Sequence, residues 1–68
     1  MAIKNDVGNR IKELRLNMGI SQETLAHLAD LDRTYITRLE RGKRNISIVN
    51  LEKISTALDI SLSEFFKF

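Results

Sequence analysis

An all-α fold of five short helices is predicted by three features of this 68-residue chain. Proline is absent and glycine occurs only three times, so little interrupts a helix. Apolar residues recur at three- and four-residue spacing in successive segments, without strand-like alternation. A serine or aspartate (Ser21, Asp32, Ser47, Ser61) stands before each of the last four segments, where a helix N-cap belongs.

In the first segment Val7, Ile11, Leu14 and Met18 share one helical face, with Lys4, Lys12 and Arg15 off it. Gly19 suits a left-handed C-cap, so helix 1 is expected over about residues 5–18. Ser21 caps helix 2, with Glu23 in the first turn, where the helix dipole favours an acid. Its inward face is Leu25, Ala26, Leu28 and Ala29, and the two alanines allow a neighbouring helix to come close. Asp30-Leu31-Asp32 leaves room only for a tight turn. Asp32 caps helix 3, which turns Ile36 and Leu39 inward and ends at Gly42. Ser47 caps helix 4, whose buried line is Leu51, Ile54 and Leu58. Ser61 and Glu64 have the spacing of a capping box before a short helix 5, with Ile60 and Phe65 placed as its hydrophobic staple.

Sixty-eight residues suit one unit spanning 1–68, with a core small enough for pairing with a second copy to help. Apolar residues make up 43% of the chain, and no run approaches the roughly 18 residues of a membrane span. The leading MAIKNDVGNR has no apolar signal core. Cysteine is absent, which removes disulfides and thiolate metal sites and fits a reducing, bacterial-type cytoplasm. With a single histidine, His27, no glycine-rich phosphate loop and no nucleophile–base pair, enzyme chemistry and a metal site are not expected. No cofactor or small-molecule ligand is implied.

Net charge is only +2, but its placement is uneven. Residues 32–44 carry five basic and two acidic side chains, whereas 45–68 carry two basic and three acidic. A positive field confined to one part of the chain is what a phosphate-facing surface requires. With Ile36 and Leu39 inward, helix 3 directs Arg33, Thr34, Thr37, Arg38 and Arg41 outward. A merely solvated face would mix glutamate with lysine. This one has arginines, which can pair with guanine O6 and N7, and threonines, short enough to reach a base edge or a phosphate. Lys43 and Arg44 follow the helix end, where they can reach phosphates or a narrowed minor groove. Asn45 has two readings, a phosphate contact or a cap for helix 4.

Residues 7–66 resemble the lambda-repressor-like helix-turn-helix domain of the xenobiotic-response-element class, with the motif at helices 2 and 3. The segment from Leu31 to Ser47, LDRTYITRLERGKRNIS, is more specific and resembles the controller proteins of restriction–modification systems. The resemblance implies a compact five-helix DNA-binding domain acting as a dimer on double-stranded operator DNA. It implies that Arg33 and Thr34 enter the major groove with Thr37 and Arg38 behind them as base readers. It implies that Gln22, Tyr35, Arg41 and Arg44 lie at or near the DNA backbone, and that Arg15 and Glu40 form an internal ion pair. Many relatives have glycine where this chain has Asp30, a residue that tolerates the left-handed backbone better than most.

Dimerisation through helices 4 and 5, also implied by the resemblance, would place two recognition helices about 34 Å apart on a near-palindromic site. The expected interface is Ile48, Asn50, Leu62, Phe65 and Phe68. The implied function is an autoregulatory regulator, activator or repressor, of an endonuclease gene; two dimers side by side on DNA remain open. A phage or plasmid repressor and an antitoxin share such segments. From a different class, a helical protein-interaction module remains the competing reading, and the arginine-rich face argues against it.

Overall fold

The computed structural model describes residues 2–68. It contains α1 (Ile3–Asn17), α2 (Gln22–Ala29), α3 (Arg33–Glu40), α4 (Ile48–Ala57) and α5 (Leu62–Phe65), and no strand among the described residues. The N-caps of α2 to α5 are the four read from the sequence. Ser21, Ser47 and Ser61 Oγ accept from the backbone N–H of Thr24, Asn50 and Glu64, and Asp32 accepts from that of Thr34. Each bond satisfies an N–H that the helix leaves unpaired. The capping box at α5 is half made, because the Glu64 carboxylate turns to Lys67 Nζ at 2.9 Å. That ion pair, with its hydrogen bond, holds the Glu64 carboxyl below its ordinary pKa.

The C-terminal ends of α1 to α4 follow one rule. Gly19, Asp30, Gly42 and Asp59 take left-handed backbone at φ of 71°, 56°, 70° and 58°. After each, the next residue donates its N–H to the carbonyl five residues back: Ile20 to Arg15, Leu31 to Ala26, Lys43 to Arg38 and Ile60 to Ser55. The left-handed residue donates to the carbonyl three back, which completes a Schellman motif at each end. A left-handed residue, an apolar residue and an N-cap therefore make the same three-residue connector three times, at 19–21, 30–32 and 59–61. The connector is too short to stand out as an internal repeat. Asp59 was not anticipated as left-handed, although Asp59-Ile60-Ser61 parallels Gly19-Ile20-Ser21.

α3 lies between α1 and α2, α2 also packs on α4, and α5 packs on α4. All five helices supply the core through Ile11, Leu25, Ile36, Leu39, Ile54 and Phe65, each almost fully buried. Three expectations need correction. Phe65 is 0% exposed and belongs to this core, so it cannot face a second copy. Leu28 is 53% exposed, because Leu25, Ala26 and Ala29 define the inward face and it lies roughly 100° around the helix from their centre. Met18 is 45% exposed: as the C-cap of α1 it still has helical backbone, but it stands at the end of the helix, where the core does not cover it.

Two unanticipated residues set how the helices meet. Gly8 is buried on α1 where a Cβ would collide with the Leu39 carbonyl oxygen and lie 3.1 Å from that of Glu40. Its lack of a side chain lets α1 rest directly on the backbone at the end of α3. Arg10 donates from Nε to the Phe65 carbonyl and from Nη2 to that of Glu64, each at 2.8 Å, and pairs with Glu13. It caps α5 from α1, across more than 50 residues of chain.

Gly8→Ala is expected to lose about 1–3 kcal/mol in urea denaturation, because rigid backbone blocks the methyl and outweighs alanine's better helix propensity. Asp30→Gly is expected to gain about 1 kcal/mol in the same measurement, by relieving left-handed strain and removing an acid from a helix C-terminus. A gain in the first variant or a loss in the second would refute the corresponding account.

Candidate nucleic-acid interface

The amphipathic sequence of α3 positions the site. Ile36 and Leu39 are buried at 0% and 2% exposure, which forces Arg33, Thr34, Arg38 and Arg41 to solvent and leaves Tyr35 and Thr37 half-buried. Lys43, Arg44 and Asn45 are exposed immediately beyond the helix. Gln22, at the first position of α2, is half-buried beside the same surface.

Among the described residues, the ion pairs are Arg10–Glu13, Arg15–Glu40 and Lys67–Glu64. None involves Arg33, Arg38, Arg41, Lys43 or Arg44. These five cations form no ion pair among the described residues, which leaves their donors available to a phosphate backbone.

Tyr35 is held from two sides. The Arg44 guanidinium carbon sits 5.1 Å from the centre of its ring, within cation–π range. Asn50 Nδ2 donates to the Tyr35 hydroxyl at 3.2 Å. The hydroxyl accepts there, so its proton is available to an outside acceptor. Tyr35, Arg38, Arg44 and Asn50 also line one shallow hollow with Leu31, Asp32 and Thr34. Asn50, assigned to the dimer interface on sequence, has part of its amide committed to Tyr35 in the protomer.

Behind this face, Arg15 Nε and Nη2 donate to the two Glu40 carboxylate oxygens at 2.7 and 3.0 Å, and Arg15 Nη1 donates to the Ile20 carbonyl at 2.9 Å. Both side chains are almost wholly buried. The hydrogen bond and charge of Glu40 raise the Arg15 pKa, against the opposing effect of burial. Gln22 Nε2 also donates to Glu40, at 3.1 Å, and Gln22 Oε1 accepts from the Thr37 hydroxyl at 2.8 Å. The buried pair is thus wired to the outer face of α3. Nothing local in the sequence signals the Gln22–Thr37 bond, because its partners are 15 residues apart on different helices.

The remaining candidates differ in exposure. Ile48 and Phe68 are exposed, at 66% and 59%, and Leu62 is half-buried. Val49 and Phe66 are also exposed apolar residues near these positions in the chain. His27 is exposed on α2, and no group of three potential metal ligands exists among the described residues. Among the described residues, no helix is long and apolar enough to cross a membrane.

Comparison with known proteins places this arrangement. A helix-turn-helix family model matches residues 11–65. The control protein C.MunI of a Mycoplasma species is 55% identical over 65 residues, covering 94% of this chain and 88% of that protein. The crystal structure of the restriction-modification controller protein C.AhdI from Aeromonas hydrophila superposes with a TM-score of 0.93 at 52% identity, covering 97% of this chain and 100% of that one. The controller protein C.Esp1396I, solved as a tetramer in complex with its natural 35 base-pair operator, gives a TM-score of 0.89 at 44% identity, covering 94% of this chain and 84% of that one.

Breaking the buried pair by Glu40→Ala is expected to cost about 3–5 kcal/mol, because Arg15 is left with an uncompensated buried charge. Replacing both partners with apolar residues, Arg15→Met with Glu40→Leu, is expected to cost less than either single change. Thermal melts followed by circular dichroism test this; additive losses would remove the pairing explanation.

Proposed function

The chain belongs to the helix-turn-helix family, and from that premise we propose that it is a sequence-specific transcriptional regulator, a controller protein of a restriction–modification system that binds its own operator as a dimer. The observation that carries the proposal is the outer face of α3, where exposed arginines that form no ion pair among the described residues flank threonines. Such a face meets both demands of operator recognition, phosphate neutralisation and base reading.

In this reading α3 enters the major groove. Arg33, Thr34, Thr37 and Arg38 read bases. Gln22, Tyr35, Arg41, Lys43, Arg44 and Asn45 hold the backbone. Gln22 retains one amide N–H for a phosphate after bonding Glu40, and Tyr35 retains its hydroxyl proton. The α2 N-terminus beside Gln22 adds its dipole. The whole chain serves as one DNA-binding and dimerising unit, and the dimer forms through the exposed apolar residues of the α4 and α5 regions, Ile48 and Phe68 among them, with Leu62 at its edge. The relative C.Esp1396I occupies its operator as a tetramer, which supports two dimers side by side for this chain as well. The protein acts in the cytoplasm of a bacterial host, without catalysis, cofactor or effector ligand, so its own concentration sets its occupancy of the operator.

The test is fluorescence anisotropy on duplex DNA from just upstream of its own gene, against scrambled duplex, across a salt series. Specific binding at least about a thousandfold tighter than to the scrambled duplex is expected. Arg33→Ala is expected to lose roughly 5- to 150-fold on the upstream duplex and little on the scrambled one. Equal, weak and steeply salt-dependent binding to both duplexes would reject operator recognition.

A further inference from the structure

The bonds behind Thr37 run in one direction, and that direction decides what Thr37 can recognise. Glu40, as a carboxylate paired with Arg15, only accepts hydrogen bonds. The Gln22 atom facing it must therefore be the amide nitrogen, which settles the orientation of an amide whose two ends are otherwise alike. Gln22 Oε1 then faces Thr37 Oγ1 at 2.8 Å, and because a carbonyl oxygen has no proton, the threonine must donate. The other acceptor within reach of that hydroxyl is the Arg33 carbonyl at 3.1 Å, which is equally proton-free. On either route the single proton of Thr37 points into the protein, and only lone pairs remain for the outside.

From this geometry, and resting on the operator-binding reading above, we infer that Thr37 recognises an exocyclic amino group of a base, adenine N6 or cytosine N4, with Gln22 as the residue that imposes this polarity. In the major groove guanine N7 and O6, thymine O4 and adenine N7 are acceptors, and so are phosphate oxygens. An inward-donating hydroxyl meets all of these lone pair to lone pair. The amino groups of adenine and cytosine are the donors of that groove. Arg33 and Arg41, one turn either side of Thr37, donate only. Arg33 suits the acceptors of an adjacent base pair and Arg41 those of a phosphate, so the stripe runs donor, acceptor, donor. Gln22 is a positioning residue here, beside its own phosphate contact, and Glu40 and Arg15 hold it in place.

The experiment is selection of bound sequences from a randomised duplex library by wild type, Thr37→Val, Thr37→Ser and Gln22→Met, each first verified as folded by circular dichroism. In the wild-type profile one position per half-site is expected to require adenine or cytosine on a given strand. Thr37→Val, which keeps the shape and removes the lone pairs, is expected to flatten that position alone, and Thr37→Ser to restore it. Gln22→Met is expected to weaken the same preference while leaving the positions read by Arg33 intact. Replacing the selected adenine by purine, or the selected cytosine by 2-pyrimidinone, removes only the amino group. That change is expected to reduce wild-type affinity at least about fivefold and leave Thr37→Val unaffected. A Thr37→Val profile identical to wild type, or wild-type affinity that is unchanged when the amino group is deleted at the position Thr37→Val flattens, would overturn the inference while leaving operator binding intact. A wild-type protein that selects no sequence would overturn the operator reading and this inference together.

Discussion

The carboxylate of Glu40 accepts three hydrogen bonds, two from Arg15 on α1 and one from Gln22 at the start of α2, and Glu40 is itself the last residue of α3. One buried group thus fixes three helix segments relative to each other. The third guanidinium nitrogen of Arg15 binds the Ile20 carbonyl, which adds the α1–α2 connector to the same cluster. Desolvating such a pair offsets most of its Coulomb attraction, so it contributes more to geometry than to net stability. A recognition helix needs that geometry, because a small rotation of α3 would change which side chains face the groove. Gly8 acts at the same place: α1 can approach the backbone around Leu39 and Glu40 only without a side chain there.

The arginines divide by neighbourhood. Arg10 and Arg15 have their donors consumed within the protein, at the end of α5 and at Glu40. Those on and after α3 have no carboxylate within ion-pair distance among the described residues. Modest net charge therefore coexists with a strongly basic face, because the acids lie elsewhere or are engaged. Tyr35 and Thr37 show the same separation at the level of single protons. Asn50 donates to the tyrosine hydroxyl and frees its proton, whereas Gln22 accepts from the threonine hydroxyl and ties its proton down. Two hydroxyl residues on one helix thereby acquire opposite polarities toward the outside.

Much of the fold is local and was legible in the chain. Helix N-caps depend on a hydroxyl or carboxylate two or three residues from the N–H it serves, so Ser21, Asp32, Ser47 and Ser61 declare themselves. Three- and four-residue periodicity marked Ile36, Leu39, Leu51, Ile54 and Leu58 as core, and all are buried. Where periodicity failed, it failed at the margins of elements. Leu28 and Met18 fit an apolar pattern but lie off the packed face or past the helix end. The aromatic residues at the C-terminus were ambiguous, because composition shows a surplus of apolar groups without saying which one turns inward. Packing on α4 answers that for Phe65, which fills the core while Phe66 and Phe68 remain outside, their rings 6.0 Å apart.

The sequence by itself determined the five helices, the N-caps of the last four, the inward stripe of α3 and hence the basic, hydroxyl-bearing outward stripe, because each rests on interactions within one or two turns of chain. The Arg15–Glu40 pair entered only through family resemblance, since neither residue has a local signal for the other across 25 positions. Tertiary structure alone decided that Arg10 would close α5, that Gly8 would set the spacing of α1 and α3, and that Gln22 would orient Thr37. Those outcomes depend on distances of a few ångströms between residues 15 to 55 positions apart, which no pattern along the chain encodes.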